Sequence, residues 1–294
     1  MTAGAAWDRC RYGRLLPLAA RDPHWGGAYA AFVAAVEWRR DPGRRAAATD
    51  RIARWLAATS ADAGRIHRAS LASEAREEAD AAFFMRRPDA LAAAFGARPL
   101  PLAPEDGPVV YVGLHLGSPV LGYLDLCRRL APELALVARG IDPANPMAAA
   151  KRRFAERKVA WTEVTAGRPF FATDGASMLG VRRHLRAGKP LYLLADVPGD
   201  AVGRAAACTL FGERVRLAAG LPTLARIADS AVQTLAITRD ARGFAVHAGP
   251  RVPAGAVDMP VVLDALAPFV RAHPEQWWMW PYLPAAGAVD SSER

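Results

Sequence analysis

The stretch that decides the fold is Val109-Val110-Tyr111-Val112-Gly113-Leu114, a continuous apolar run that ends at His115. Two similar runs follow it: residues 134–138 end at Arg139, and residues 191–195 end at Asp196. A strand that is buried on both faces of a parallel sheet reads as such an unbroken apolar run. The three runs therefore predict neighbouring strands in the core of an α/β protein.

The segments around these runs extend the pattern. Residues 174–186 carry helix start and stop signals, and residues 231–238 and 244–248 predict two further strands. Upstream, residues 29–95 are rich in Ala, Arg and Glu and break at 41–43, 63–64 and 87–88, which predicts helices. We expect a mixed, largely parallel central sheet flanked by helices. A helical N-terminal region, 1–100, should pack on an α/β core, 101–294, as one compact unit.

Composition excludes several classes of protein. The 294 residues are 52% hydrophobic and 23% charged, which is too apolar for a disordered chain. The longest apolar stretches are much shorter than the roughly 20 residues of a membrane-spanning helix. Cys10, Cys127 and Cys208 are widely spaced and form no C-x-x-C pair, which argues against disulfides or a zinc site. We therefore expect a reducing, cytoplasmic location.

The basic excess indicates anionic partners. The formal net charge is +9, and only three of the 38 basic residues are lysines. A GC-rich coding bias explains such an arginine excess as well as selection for an anionic surface does. No basic stripe with interleaved aromatics and no nucleic-acid-binding motif is present, so nucleic acid is not expected as a partner.

His115 is the best single candidate for chemistry. The carboxyl ends of neighbouring parallel strands meet at one edge of a sheet, so His115, Arg139 and Asp196 should converge there. An imidazole can remove a proton near neutral pH, and Gly113 and Gly117 on either side permit close approach by a substrate. A partly buried histidine that only caps a loop explains the same pattern.

The chain also resembles the bacterial lipid A late acyltransferase family, which belongs to the lysophospholipid-acyltransferase-like enzymes. Five blocks agree in order across residues 108–282, and the last is the most distinctive. They are Gly113 to His115; Arg139 with Asn145-Pro146; Gly188-Lys189-Pro190 with the run into Asp196; Leu210-Phe211-Gly212 with residues 219–226; and His273-Pro274-Glu275-Gln276-Trp277-Trp278.

The resemblance implies transfer of a fatty acyl group from an acyl carrier protein or coenzyme A thioester to a hydroxyl or amine. His115 would be the general base, and Arg139 or Arg157 would stabilise negative charge. No metal or redox cofactor is expected. Further substrate-binding candidates lie after His115 and in the fourth block, where Phe211 would line an acyl groove unless it only packs in the core. They are Gly117, Ser118, Phe211 and Gly212.

One departure from the family concerns catalysis. The family's motif places an acid five positions after the histidine, whereas this chain has Val120 there. Valine cannot orient an imidazole or offset its charge. Asp196 is the first substitute and Asp125 the second. A backbone carbonyl could also orient the ring, His115 could act without an acid, or activity could be lost. A non-catalytic lipid-binding protein, a thioester hydrolase and a transferase of a specialised biosynthetic pathway are therefore the alternative functions.

Other departures concern the membrane. The hydrophobic anchor usual in the family is replaced by the polar helical region, and the basic run usual after Trp278 is absent. Trp277, Trp278 and Trp280 are either buried aromatics or residues that dip into a membrane interface. Peripheral contact with an anionic membrane, at the inner face of the cell membrane, is the remaining membrane option.

Overall fold

Helices form the N-terminal part of the chain. The structure is a computed structural model that describes residues 3–95, 98–102, 108–138, 141, 147–173, 175–199 and 205–283. Its first elements are α1 (Ala3–Cys10), a π-helical turn (Arg11–Leu15), α2 (Leu16–Ala19), α3 (Trp25–Arg40), α4 (Pro42–Leu56), α5 (Ser60–Arg86) and α6 (Pro88–Phe95).

Local sequence explains two of these boundaries. Asp41 caps α4 by accepting a hydrogen bond from the Arg44 amide, and Thr59 caps α5 in the same way. The predicted break at residues 63–64 is wrong, because α5 runs through it without interruption. Gly64 lies inside α5 beside Trp38 of α3, and a Cβ there would be 3.5 Å from the Trp38 ring, which is an ordinary contact distance.

A six-stranded sheet follows, and its order is β3-β2-β4-β1-β7-β8. All neighbouring pairs are parallel except β7 and β8, which form an antiparallel hairpin. The elements are β1 (Val109–Gly113), α7 (Pro119–Arg129), β2 (Ala135–Ala138), α8 (Ala149–Ala166), β3 (Phe171–Ala172), α9 (Gly175–Arg186), β4 (Leu191–Leu194), β5 (Ala205–Leu210), β6 (Glu213–Ala218), α10 (Gly220–Ala228), β7 (Ala231–Asp240), β8 (Gly243–Val252) and α11 (Met259–Ala272).

The predicted fold class is confirmed at the level of a mixed, mostly parallel sheet flanked by helices. All five predicted strands are present. Two features were not predicted: the two-residue strand β3 and the separate β5–β6 hairpin. The β5 sequence, Ala-Ala-Ala-Cys-Thr-Leu, has little of the β-branched and aromatic character that favours strands.

The sheet is buried on both faces. Val110 and Val112 of β1 pack in one apolar cluster with α9, α10 and α11, whereas Val109 and Tyr111 pack in another with α6 and α7. This alternation is the period-two geometry of a strand, and burial on both faces explains the unbroken apolar run.

The N-terminal helices are tied to the rest of the chain by buried charged groups. The buried Arg51 guanidinium of α4 donates hydrogen bonds to the carbonyls of Trp280 and Leu283 near the C-terminus. Asp80 of α5 accepts a hydrogen bond of 2.7 Å from Arg239 at the end of β7. These contacts bring α5 and the C-terminal segment to the edge of the sheet where His115 lies.

Candidate active site

Strand order places the first two candidate residues side by side. β1 pairs in parallel with β4, and Gly113 lies opposite Leu194 in the register. The Ala195 amide continues the pairing by donating to the Gly113 carbonyl over 2.9 Å. His115 and Asp196 each lie two residues past the end of their strand, so they emerge from adjacent strands at one edge of the sheet.

Asp196 binds His115 through both of its carboxylate oxygens. Oδ1 lies 2.8 Å from Nδ1 of the imidazole, and Oδ2 accepts a 2.8 Å hydrogen bond from the His115 backbone amide. Asp196 is fully buried, whereas the His115 side chain keeps 28% of its surface exposed. The carboxylate therefore holds the ring from inside while part of the ring faces outward.

This geometry fixes which ring nitrogen carries the proton. An ionised carboxylate only accepts hydrogen bonds, so Nδ1 of His115 carries the hydrogen and the lone pair of the neutral ring is on Nε2. Burial by itself lowers the pKa of His115, but the charge and hydrogen bond of Asp196 outweigh it and raise the pKa above its ordinary value. The result is an oriented imidazole that can accept a proton at Nε2.

The C-terminal segment closes over this pair. The Gly117 amide donates to the Gln276 carbonyl over 2.9 Å, and the Trp278 amide donates to the His115 carbonyl over 3.0 Å. Between them, the buried Trp277 donates its indole N–H to Oδ2 of Asp196 over 2.7 Å. Asp196 thus accepts hydrogen bonds from three donors.

The role of Trp277 was not found from the sequence. It lies in the Pro-Glu-Gln-Trp block that carried the resemblance, and this block was the available signal. The distance of 81 residues to Asp196 hides the contact from any local pattern.

Gly117 has a conformation that requires glycine. Its φ is +63°, and a Cβ at this position would lie 2.3 Å from the Ile237 carbonyl oxygen. Ser118 follows, is buried, and stands at the start of α7 without capping it through its side chain. The tight turn at Gly117 thus joins the His115 segment to β7 and leads the chain into α7.

Two charged side chains of the flanking helices also act on the site. Glu74 of α5 raises the pKa of His115 and Lys158 of α8 lowers it, both more weakly than Asp196 does. Lys158 pairs with the buried carboxylate of Glu77 at 2.6 Å. The helices α5 and α8 therefore contribute to the electrostatic surroundings of the imidazole.

The remaining carboxylate candidate lies elsewhere. Asp125 is buried in α7 and forms an ion pair with Arg129, one turn further along the helix. Val120 lies in the first turn of α7 and is half-buried. Of the two carboxylates predicted to replace the missing acid, Asp196 is the one that contacts His115.

The other predicted residues are spread over the molecule. Arg139 lies outside the described residues. Arg157 is exposed on α8, at the rim of a cavity whose lining does not include His115. Phe211 and Gly212 form the two-residue turn of the β5–β6 hairpin, both with positive φ, and the Phe211 ring packs on Trp55 and Trp277.

The tryptophans near the C-terminus are mainly core residues. Trp277 and Trp280 are fully buried and pack edge to face with ring centroids 4.6 Å apart. The interpretation that they dip into a membrane is therefore wrong for these two residues, while Trp278 is half-buried beside the His115 ring. None of the helices in the described ranges combines the length and apolar character needed to cross a membrane.

Fold and site together define a class: a mixed α/β protein with an Asp-oriented histidine at the carboxyl edge of its parallel strands. Within the described residues, no group of three or more His, Cys, Asp or Glu side chains could hold a metal ion. No protein-family model matches the chain, and no curated protein matches it.

Proposed function

We propose that the protein is an acyltransferase that moves a fatty acyl group from an acyl carrier protein or coenzyme A thioester to a hydroxyl or amine, with His115 as the general base. The observation that carries this proposal is the contact of Asp196 with Nδ1 of His115 at 2.8 Å. It leaves Nε2 as the proton acceptor of a ring that is partly exposed.

In this reaction Nε2 of His115 removes the proton of the acceptor as its oxygen or nitrogen attacks the thioester carbonyl. The tetrahedral intermediate then collapses, the carbon–sulfur bond breaks, and the imidazolium returns its proton to the leaving thiolate. Asp196 stabilises the transient imidazolium, as the carboxylate of a hydrolase triad does. Arg139 remains the predicted group for the developing negative charge on oxygen.

The replacement of the family's acid by Val120 is compatible with this proposal. Orientation of the imidazole requires a carboxylate at hydrogen-bond distance, whichever segment of the chain supplies it. Asp196 meets that requirement, and Trp277 and the backbone amide of His115 hold it in place.

The test is an assay with isotope-labelled acyl carrier protein and acyl coenzyme A, each offered with a panel of alcohols and amines. Products are separated by mass spectrometry, so that conjugate, free fatty acid and unreacted thioester are each counted. We expect conjugate with the wild type and a loss of at least about 10²-fold with His115→Ala. His24→Ala, which changes an exposed histidine, is the matched control.

The outcomes separate the alternatives. Equal transfer by wild type and His115→Ala would refute the role of His115. Release of free fatty acid without any conjugate would identify a thioester hydrolase, since water then acts as the acceptor. Bound acyl thioester without turnover in the wild type would identify a non-catalytic binding protein.

A further inference from the structure

The cavity beside Arg157 has a volume of about 160 Å³ and opens between the N-terminal helices and α8. Its walls come from the π-helical turn and α2 on one side, α5 on another and α8 on a third. Leu16, Met85 and Phe154 supply apolar surface from these three walls. Tyr12 adds its ring, which stacks on Phe154 with centroids 5.6 Å apart.

The phenolic oxygen of Tyr12 does not make this cavity polar. It donates a 2.7 Å hydrogen bond to the buried carboxylate of Glu78, away from the apolar lining. Glu78 in turn is paired with Arg11 at 2.7 Å, so this buried network is already satisfied. The floor of the cavity is therefore hydrocarbon and aromatic carbon.

Three arginines also line this cavity: Arg86 of α5, and Arg153 and Arg157 of α8. All three are exposed, and within the described part of the chain none of them has a hydrogen bond or an ion pair. Among the described residues, no carboxylate is part of the cavity lining, although Glu156 lies one turn from Arg153 on α8. Three like charges on one lining favour an anion there.

The apolar floor and the three arginines together indicate which kind of ligand the cavity would bind. A hydrated inorganic anion gains nothing from the apolar floor, and a neutral hydrocarbon gains nothing from the guanidinium groups. A molecule that has both an anionic group and a hydrocarbon chain gains binding energy from the arginines and from the apolar floor. Guanidinium groups match the planar geometry of carboxylate and the oxygens of phosphate.

We propose that this cavity binds a single-chain anionic amphiphile, with its alkyl chain on the apolar floor and its carboxylate or phosphate head group on Arg86, Arg153 and Arg157. The proposal goes beyond the acyltransferase function and does not depend on it. It rests on a cavity whose lining excludes His115 and Asp196.

Two variants test the two halves of the site. The triple variant R86Q/R153Q/R157Q removes the charges and keeps side-chain length. Gly13→Leu adds a bulky apolar side chain at the cavity lining without changing charge, and a Cβ at Gly13 meets no atom within 4 Å. The matched controls are R182Q/R183Q/R186Q on the exposed face of α9 and Gly255→Leu, where a Cβ also has open space.

Binding is measured by isothermal titration calorimetry below the critical micelle concentration, with dodecanoate and dodecyl phosphate as the two anionic probes. Dodecyl maltoside and inorganic phosphate are the neutral and chain-free probes. We expect the wild type and both controls to bind at least one anionic probe. The triple variant and Gly13→Leu should each bind at least about tenfold more weakly.

A preference between dodecanoate and dodecyl phosphate identifies the head group. The proposal is overturned if the wild type binds neither, if dodecyl maltoside or inorganic phosphate binds as well as they do, or if both site variants bind like the wild type. Circular dichroism of each variant verifies that the fold is kept. If Gly13→Leu unfolds, the triple variant alone decides the outcome.

Discussion

Asp196→Asn is the substitution that most directly probes the site, because it keeps the shape of the side chain and removes its charge. Asp196 now offers one oxygen to Nδ1 of His115 and the other to the His115 amide and the Trp277 indole. Asparagine has a single oxygen, and two donors already require it. Its NH₂ group must then face Nδ1, which forces the ring hydrogen onto Nε2.

The magnitude follows from the same three contacts. Removing Asp196 with alanine leaves the two donors to Oδ2, the His115 amide and the Trp277 indole, without an acceptor at roughly 1–3 kcal/mol each, and it also removes the partner of Nδ1, so the fold should lose at least about 2–6 kcal/mol. Asparagine keeps those two bonds, so we expect a loss of only about 1–3 kcal/mol. If the proposed transfer occurs, the wrong tautomer should slow it by roughly 10⁴-fold.

The pKa of His115 supplies a readout that needs no substrate. The charge of Asp196 is what raises this pKa against the effect of burial, so Asp196→Asn should bring it below its ordinary value. Long-range ¹H–¹⁵N spectra of protein labelled at its six histidines report both tautomer and pKa, and His115→Gln identifies the signal. Asp125→Asn is the control and should change neither quantity.

The reasoning is refuted if Asp196→Asn keeps hydrogen on Nδ1 and leaves the pKa above its ordinary value. In that case another group would hold the imidazole. A loss of stability as large as that of Asp196→Ala would also contradict the assignment of the two remaining bonds.

Three further predictions concern stability, measured by urea unfolding. Burial lowers the pKa of His67 to about 4, so the unfolded chain takes up its proton first as pH falls. The stability that neutral His67 contributes is fully present above about pH 6.5. Between about pH 7 and 5, the free energy of unfolding of the wild type should fall by roughly 2 kcal/mol, and that of His67→Leu should not show this fall. Gly117→Ala should cost at least about 2 kcal/mol because its Cβ meets the Ile237 carbonyl, whereas Gly220→Ala, with open space, should be neutral or stabilising. Among the described residues the buried Tyr192 hydroxyl has no hydrogen-bond partner, so Tyr192→Phe should change stability by less than about 1 kcal/mol; a larger loss would reveal a bound partner.

Local sequence patterns predicted the strands and helices that have a clear hydrophobic pattern and missed those that lack one. The runs at β1, β2 and β4 were found because burial on both faces leaves no polar residue in them. The β5–β6 hairpin was missed because half of its first strand is alanine. The break predicted at Gly64 was wrong because a helix tolerates an isolated glycine, and α5, which Thr59 caps, runs through it.

Some residues of the candidate site could likewise be predicted from the sequence, and others could not. The sequence indicated His115 and Asp196 because each ends an apolar run, and it placed Asp196 before Asp125 as the substitute for the missing acid. It did not indicate Trp277 as a partner of Asp196. Placing Phe211 and Gly212 at a hairpin turn, and Arg157 beside a separate cavity, also required the fold.

By itself, then, the sequence determined the class of fold, the strand ends and the residue types at the sheet edge, because hydrophobic period and chain order are local properties. Only the tertiary structure decided that β4 lies beside β1, that a carboxylate 81 residues away reaches Nδ1 of His115, and that the C-terminal segment supplies its third hydrogen bond. Strand order and side-chain contacts depend on the packing of the whole chain, and no local pattern contains them.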